Sequence, residues 1–213
     1  KIPELTPDGR QNPLLLLSGT MPMGTGTKVI SLNASEREAD YTRAGIYKDA
    51  KRLFRRIGKE GEVTFRVAST QEEASELFDH LLAQRIPRFQ ALNRPDPLIN
   101  PWVNTFYRHR AVNGAPAGTV HLSGLFVDDE CVATDLSFVQ HNRYTRILTA
   151  IAQNELERFS PGFVLFALVL DDARERGAEF YDLGVGEIPY KTRFPGPTSE
   201  IHEHHAAFSV RGR

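Results

Sequence analysis

Cysteine is almost missing from this chain. Cys131 stands alone among 213 residues, so no internal disulfide can form and nothing points to an oxidising compartment. Long apolar runs are missing too: the longest aliphatic run near the start, Leu14 to Leu17, is far too short to span a bilayer or to form a signal core. With no transmembrane segment in view, the chain reads as cytoplasmic. Neither charge is in excess. There are 26 Lys and Arg against 27 Asp and Glu, a net charge of −1, and a pI near 6.7, which removes any chain-wide nucleic-acid footprint. Internal repeats and low-complexity tracts are absent as well. What is present is 40% hydrophobic and 25% charged residues, an ordinary globular balance at a length that suits one domain plus an appended piece. The chain opens on Lys1 rather than a methionine, as a piece of a longer protein would.

Periodicity sorts the elements. Residues 1–27, rich in Pro, Gly, Thr and Asn, read as loop around the 14–17 run, and 28–32 read as a short strand. Over 39–59, Ile46, Ala50, Leu53, Phe54 and Ile57 recur at helical spacing on one face, opposite Lys48, Lys51, Arg52, Arg55, Arg56 and Lys59. A strand is expected over 62–68, then a helix with Thr70 as its N-cap and Glu73 closing a capping box. Pro95, Pro97 and Pro101 punctuate a loop before a helix over 101–110. Three antiparallel strands follow, over 119–127, 131–139 and 144–152, turning at Asp128-Asp129-Glu130 and at His141-Asn142-Arg143. Ser160 as cap, Pro161 at the first position and Gly177 past the end bracket a further helix. Residues 179–183 make a strand, 187–193 a helical turn and 199–210 a last strand. From residue 62 the order is β-α-α-β-β-β-α-β-α-β, a meander between helices rather than a doubly wound βαβ alternation. The fold class is therefore α+β, a central mixed, mostly antiparallel sheet flanked by helices.

That order is the order of the GNAT acyl-CoA N-acyltransferase fold, and particular residues narrow the resemblance. Arg158-Phe159-Ser160-Pro161-Gly162, followed by an apolar helix ending at Gly177, resembles the SPG signature of CelD-type transferases, the family linked to bacterial cellulose and exopolysaccharide biosynthesis. Tyr181-Asp182-Leu183-Gly184-Val185-Gly186-Glu187-Ile188-Pro189-Tyr190-Lys191-Thr192-Arg193-Phe194 resembles that family's fDfGxGxxxYKxxF block. Val127-Asp128-Asp129-Glu130-Cys131-Val132-Ala133 is similar to its ldgxxvA turn, and Asp8-Gly9-Arg10-Gln11-Asn12-Pro13 to an upstream dGxxNP segment. The resemblance spans nearly the whole chain and is most specific over 127–194. The same C-terminal block is similar to FemAB-type peptidoglycan transferases, which carry two GNAT-like halves. Because full CelD-type proteins are longer, residues 1–60 are expected to be an N-terminal extension or the remnant of a first half, and 61–213 the GNAT acyltransferase domain.

The resemblance implies an acyl-CoA-dependent N- or O-acyltransferase that uses acetyl-CoA or another acyl-CoA as co-substrate. Its acceptor would be a small molecule or saccharide, a sugar or cell-envelope precursor. The FemAB similarity implies an aminoacyl-tRNA donor instead, and a third reading is a non-catalytic scaffold. Acyl transfer from a thioester needs an anchored pyrophosphate, a stabilised oxyanion and a route for protons. Free N–H groups at a helix start bind anions; Phe159, Ser160, Pro161, Gly162 and Phe163 supply such a start, although a plain capped core helix has the same local pattern. In the fold, the preceding strand lies beside the pantetheine arm, which points to main-chain groups around Leu148 and Ala150 for the thioester oxygen. Tyr190 follows the fifth strand of that domain. There a phenol, with a pKa of about 10, could protonate a departing thiolate of about 8.5; otherwise it packs on the sheet. Asp135 is the base candidate because a charge in mid-strand is unusual, with a structural ion pair or a solvent-facing position as alternatives. Lys191 and Arg193 either hold an anionic substrate group or sit in water. Arg52, Arg55 and Arg56 either border an acceptor cleft or form a solvated face. No metal site is expected, since on a strand His202 and His204 share one face while His205 points to the other. Cys131 reads as a small buried residue.

Overall fold

Every strand among the described residues joins one sheet. In the computed structural model, which describes residues 2–3, 12–186 and 188–205, the strands are β1 (Ile2–Pro3), β2 (Thr20–Ser31), β3 (Val63–Val67), β4 (Val120–Val127), β5 (Glu130–Gln140), β6 (Arg143–Ile151), β7 (Phe180–Val185) and β8 (Thr198–His204). The helices are α1 (Gly45–Ile57), α2 (Gln71–Ala91), α3 (Pro101–Gly114) and α4 (Pro161–Glu175). The sheet runs β1-β8-β2-β7-β6-β5-β4-β3. All its pairs are antiparallel except β6 with β7, which is parallel. The α+β class and the mostly antiparallel mixed sheet are thus as the sequence leads one to expect.

Local chemistry explains the regular parts. Thr70 caps α2 through a bond from the Glu73 N–H at 3.2 Å, and the Glu73 carboxylate reaches back to the Ser69 and Thr70 N–H groups, a complete capping box. Asp128 and Asp129, both at positive φ, form the two-residue turn that joins β4 to β5. Helices α1 and α4 cover one face of the sheet, burying Ile46 and Ile57 with Val132, Phe166, Val169 and Tyr181. Helices α2 and α3 cover the other, burying Phe78 and Leu81 with Leu122, Phe126, Leu136 and Leu148.

Several expectations are corrected. Residues 20–27 are strand, not loop. The segment Thr20 to Thr27 lacks apolar alternation, and its partners in β8 shift between Pro22 and Gly26. Within the expected loop, the 14–17 run makes a 3-10 turn (Pro13–Leu16) that leaves Leu14, Leu16 and Leu17 exposed. Helix α1 begins at Gly45, after a separate turn over Tyr41–Arg43 that Asp40 caps, and α3 runs on to Gly114. Of the described residues in the stretch expected as a helical turn, 188–193, only Lys191–Arg193 is helical. Asp8 to Gln11 of the dGxxNP segment, Glu187, and the part of the last strand expected over 206–210 lie outside the described residues. No helix among the described residues is long and apolar enough to cross a membrane.

One irregularity shapes the site. Strands β6 and β7 pair only over Arg143–Thr145 and Phe180–Asp182, and beyond that they separate. On β6 the partners in β5 jump from Ser137–Arg146 to Leu136–Leu148, so Ile147 is the extra residue of a bulge. On β7, Gly184 sits at φ +74°, and a Cβ there would lie 2.7 Å from the Arg146 carbonyl oxygen. Only glycine lets the chain turn away at that point. The opening faces the start of α4.

Candidate active site

A cavity of about 340 Å³ fills this opening, lined by Arg88, Arg146, Thr149, Ile151, Glu157, Ser160, Pro161, Gly162, Phe163, Ile188 and Tyr190. Its wall on β6 is set by strand phase. The Ala152 N–H bonds the Val132 carbonyl, so the alternation of an antiparallel ladder turns the main-chain groups of Ala150 and Leu148 toward β5. Those of Thr149 and Ile151 turn the other way, into the opening. The Thr149 carbonyl accepts a bond from Arg85 Nη1 at 2.7 Å, whereas the N–H groups of Thr149 and Ile151 have no partner among the described residues.

The start of α4 makes the floor. Ser160 is left-handed (φ 50°, ψ 57°) and makes no side-chain cap bond, unlike the cap the sequence suggests. Its carbonyl accepts the N–H groups of Phe163 at 2.8 Å and Val164 at 3.3 Å. With Pro161 lacking an N–H, the donor left free in the first turn is Gly162. A Cβ on Gly162 would meet Ile151 Cδ1 at 2.7 Å, so glycine also lets the helix start press against β6.

Beneath the cavity lies a buried polar network. Asp135 is fully buried, with Oδ2 2.5 Å from Arg146 Nε. Its Oδ1 accepts from Ser137 Oγ at 3.1 Å and lies 3.5 Å from the Tyr181 hydroxyl. Arg146 Nη1 donates to the Tyr190 hydroxyl at 3.2 Å, and the guanidinium lies 4.5 Å from the Phe166 ring centroid. Burial works against the Arg146 charge, but the Asp135 carboxylate outweighs it and the pKa is raised. Burial, then the Asp135 charge, pushes the Tyr181 phenol well above its ordinary value.

The structure brings Ser160, Pro161, Gly162, Phe163 and Tyr190 together around the cavity. Leu148 and Ala150 are buried on the opposite, α2 side of the sheet, and Phe159 is buried below the rim. Asp135 reaches the cavity only through Arg146. Lys191 is buried, its Nζ 2.8 Å from the Gly184 carbonyl and 3.1 Å from that of Val185. Burial and then the Arg146 charge lower its pKa, against the pull of Asp182. Arg193 and Arg52 both pair with Asp49, and neither they nor Arg55 and Arg56 line the cavity. Cys131 is buried, and burial pushes its thiol up to about 11. Among the described residues no cluster of His, Cys, Asp and Glu could hold a metal ion. Arg146, Thr149 and the Arg88–Glu157 pair at 2.6 Å escaped the sequence reading. An arginine in mid-strand was the one available signal.

The family model described as "Acetyltransferase (GNAT) domain" matches residues 44–192. In structure the chain is similar to the C-terminal domain of a putative lysylphosphatidylglycerol synthetase from Agrobacterium fabrum, with a TM-score of 0.64 and 16% identity over 90% of this chain and 64% of that one. It is also similar to FemX, with a TM-score of 0.56 and 12% identity over 87% of this chain and 62% of the other. L-PGS from Bacillus licheniformis gives a TM-score of 0.51 and 13% identity over 82% of this chain and 49% of that one. The chain therefore spans between about half and just under two thirds of these structures, and at such identities the likeness is one of fold. No curated protein matches the sequence. The family match is coarser than the CelD-type resemblance.

Proposed function

Because the chain belongs to the acetyltransferase (GNAT) domain family, we propose that it moves an acyl group from an acyl-CoA thioester to an amine or hydroxyl of a saccharide or cell-envelope precursor. The observation that carries this reading is the separation of β6 from β7, which turns the unpaired Thr149 and Ile151 N–H groups toward the cavity beside Tyr190. A preorganised N–H aimed at the thioester oxygen stabilises the charge that develops there. The Gly162 N–H and the Ser160 hydroxyl would hold pyrophosphate oxygens, with Arg88 at the rim. As the C–S bond breaks, Tyr190 would give its proton to the sulfur. Its oxygen already accepts a bond from Arg146, so its own proton is free to be given, and the guanidinium stabilises the phenolate left behind.

A second reading keeps this cavity and changes the donor to an aminoacyl-tRNA. It draws on the similarity to FemAB-type transferases and on FemX and a lysylphosphatidylglycerol synthetase domain as neighbours in fold. One experiment separates the two. Melting midpoints are measured with acetyl-CoA, longer acyl-CoAs and free CoA, since a ligand at a hundred times its Kd stabilises the native state by about 2.7 kcal/mol. A rise with acyl-CoA that is reduced in Thr149→Pro, which lacks the N–H, supports the first reading. No rise with any CoA, together with one on adding aminoacyl-tRNA, replaces it with the second.

A further inference from the structure

The outer face of α3 and the turn before it expose large apolar side chains. Trp102 is 84% exposed and Phe106 53%. Four residues apart, they stand on the same side of the helix. Leu92 at 55% and Ile99 at 52% extend the patch across the end of α2. The turn that carries Ile99 is firmly seated: Leu98 is buried beneath it, and Asp96 Oδ1 accepts the Leu98 N–H at 2.8 Å. The patch is therefore displayed by a packed surface and not by a loose loop.

Five arginines lie between residues 80 and 127. Arg85 pairs with the buried Asp96, its Nε 2.6 Å from Oδ2, Arg88 with Glu157 and Arg108 with Asp79. Arg94 and Arg110 flank the aromatics in sequence and are exposed; the Arg110 guanidinium lies 5.8 Å from the Phe138 ring centroid, and neither arginine meets a carboxylate among the described residues. We propose that this face docks on an anionic lipid surface, with Trp102, Phe106, Leu92 and Ile99 entering the interface and Arg94 and Arg110 meeting the headgroups. Exposed tryptophan and phenylalanine beside arginine suit the amphipathic boundary of a bilayer, where ring and headgroup contacts add. A second copy of this chain fits less well, because a two-fold contact would bring the same unpaired arginines together. Nucleic acid fits less well too, since Leu92 and Ile99 offer no ring for stacking and two arginines without a carboxylate make a short phosphate track. The patch begins one turn beyond Arg88, which lines the cavity, so docking would bring the rim of the cavity near the lipid.

The docking is tested without any acyl donor, so it stands or falls apart from the proposed chemistry. Trp102 is the only tryptophan, so the emission of the unaltered protein reports this patch alone. Vesicles of phosphatidylcholine with an equal part of phosphatidylserine should shift that emission to the blue and carry the protein into the pellet, and pure phosphatidylcholine should do so far less. The Trp102→Ala/Phe106→Ala variant should pellet at least about tenfold more weakly. Arg94→Glu/Arg110→Glu keeps the fluorophore and should lose the shift, with the circular dichroism and melting midpoint of each variant matching the parent. No shift and no pelleting with either vesicle overturns the proposal. So does pelleting that both variants retain, since contact is then made elsewhere. A blue shift that grows with protein concentration in lipid-free buffer assigns the face to a second copy, and one produced by RNA assigns it to nucleic acid; either overturns the lipid assignment.

Discussion

Arg146 is a cation in the lining of the cavity, anchored by a carboxylate with no exposed surface. Breaking such a pair from one side strands the other charge in a medium that cannot solvate it. Arg146→Met is therefore expected to lower unfolding free energy by about 3–5 kcal/mol in urea, and adding Asp135→Asn should restore much of the loss. If the double variant is no more stable than Arg146→Met, the pair is not what holds this corner. The partner of Arg146 on the other side gives a kinetic prediction. Tyr190→Phe should lower kcat about a hundredfold, with acyl-CoA affinity measured by calorimetry unchanged, because the phenol is needed only as the thiolate leaves. Cys131 titrates in a different range. Its folded pKa of about 11 lies above the ordinary 9.0, so the protonated thiol favours the folded state. That contribution is whole below pH 9 and fades as pH rises toward 11, so the parent should lose stability over this window faster than Cys131→Ala does. Sequence alone goes part of the way at this scale. The pattern points to the strand before α4 and to Tyr190. Yet Thr149 could not be told from Leu148 or Ala150, because which residues turn their N–H groups outward depends on the pairing with β5 and on the bulge at Ile147. Asp135 shows the same limit, since its partner Arg146 stands on a neighbouring strand.

Gly184 shows how one element can depend on one residue. Its positive φ turns β7 away from β6, and any side chain there would press on the Arg146 carbonyl. Gly184→Ala is expected to cost about 1–3 kcal/mol from backbone strain and to weaken binding in the cavity, a combination that equilibrium unfolding and calorimetry can separate. The block that contains it is legible as a motif, and three of its residues, Asp182, Gly184 and Lys191, hold the opening's edge. Asp182 accepts the Gly184 N–H at 2.9 Å and a bond from the Thr27 hydroxyl, and Lys191 ties down the carbonyls that follow. Helix α2 was readable to its cap because a capping box is a local pattern. The first half of β2 was not. Its residues have no strand alternation of their own and become a strand only by pairing with β8.

At the scale of the whole molecule the same distinction holds. From residue 62 onward the element order follows from turns and periods within short windows, whereas the placing of β2 rests on partners about 150 to 185 positions away. The sheet that results is in effect two four-stranded half-sheets, β1-β8-β2-β7 and β6-β5-β4-β3, joined along β6 and β7 by three residue pairs. A strand in the middle of a sheet ordinarily shelters all its amides from deuterium in the solvent, but β6 shelters only every second one beyond its bulge. The amides of Leu148 and Ala150 should exchange slowly, at rates set by opening of the β5 ladder, and those of Thr149 and Ile151 faster by orders of magnitude. That alternation makes this strand its own reporter. A donor whose carbonyl reaches the opening should slow the Thr149 or Ile151 amide and leave its slow neighbours unchanged, giving a residue-level reading of occupancy that needs neither turnover nor a known acceptor.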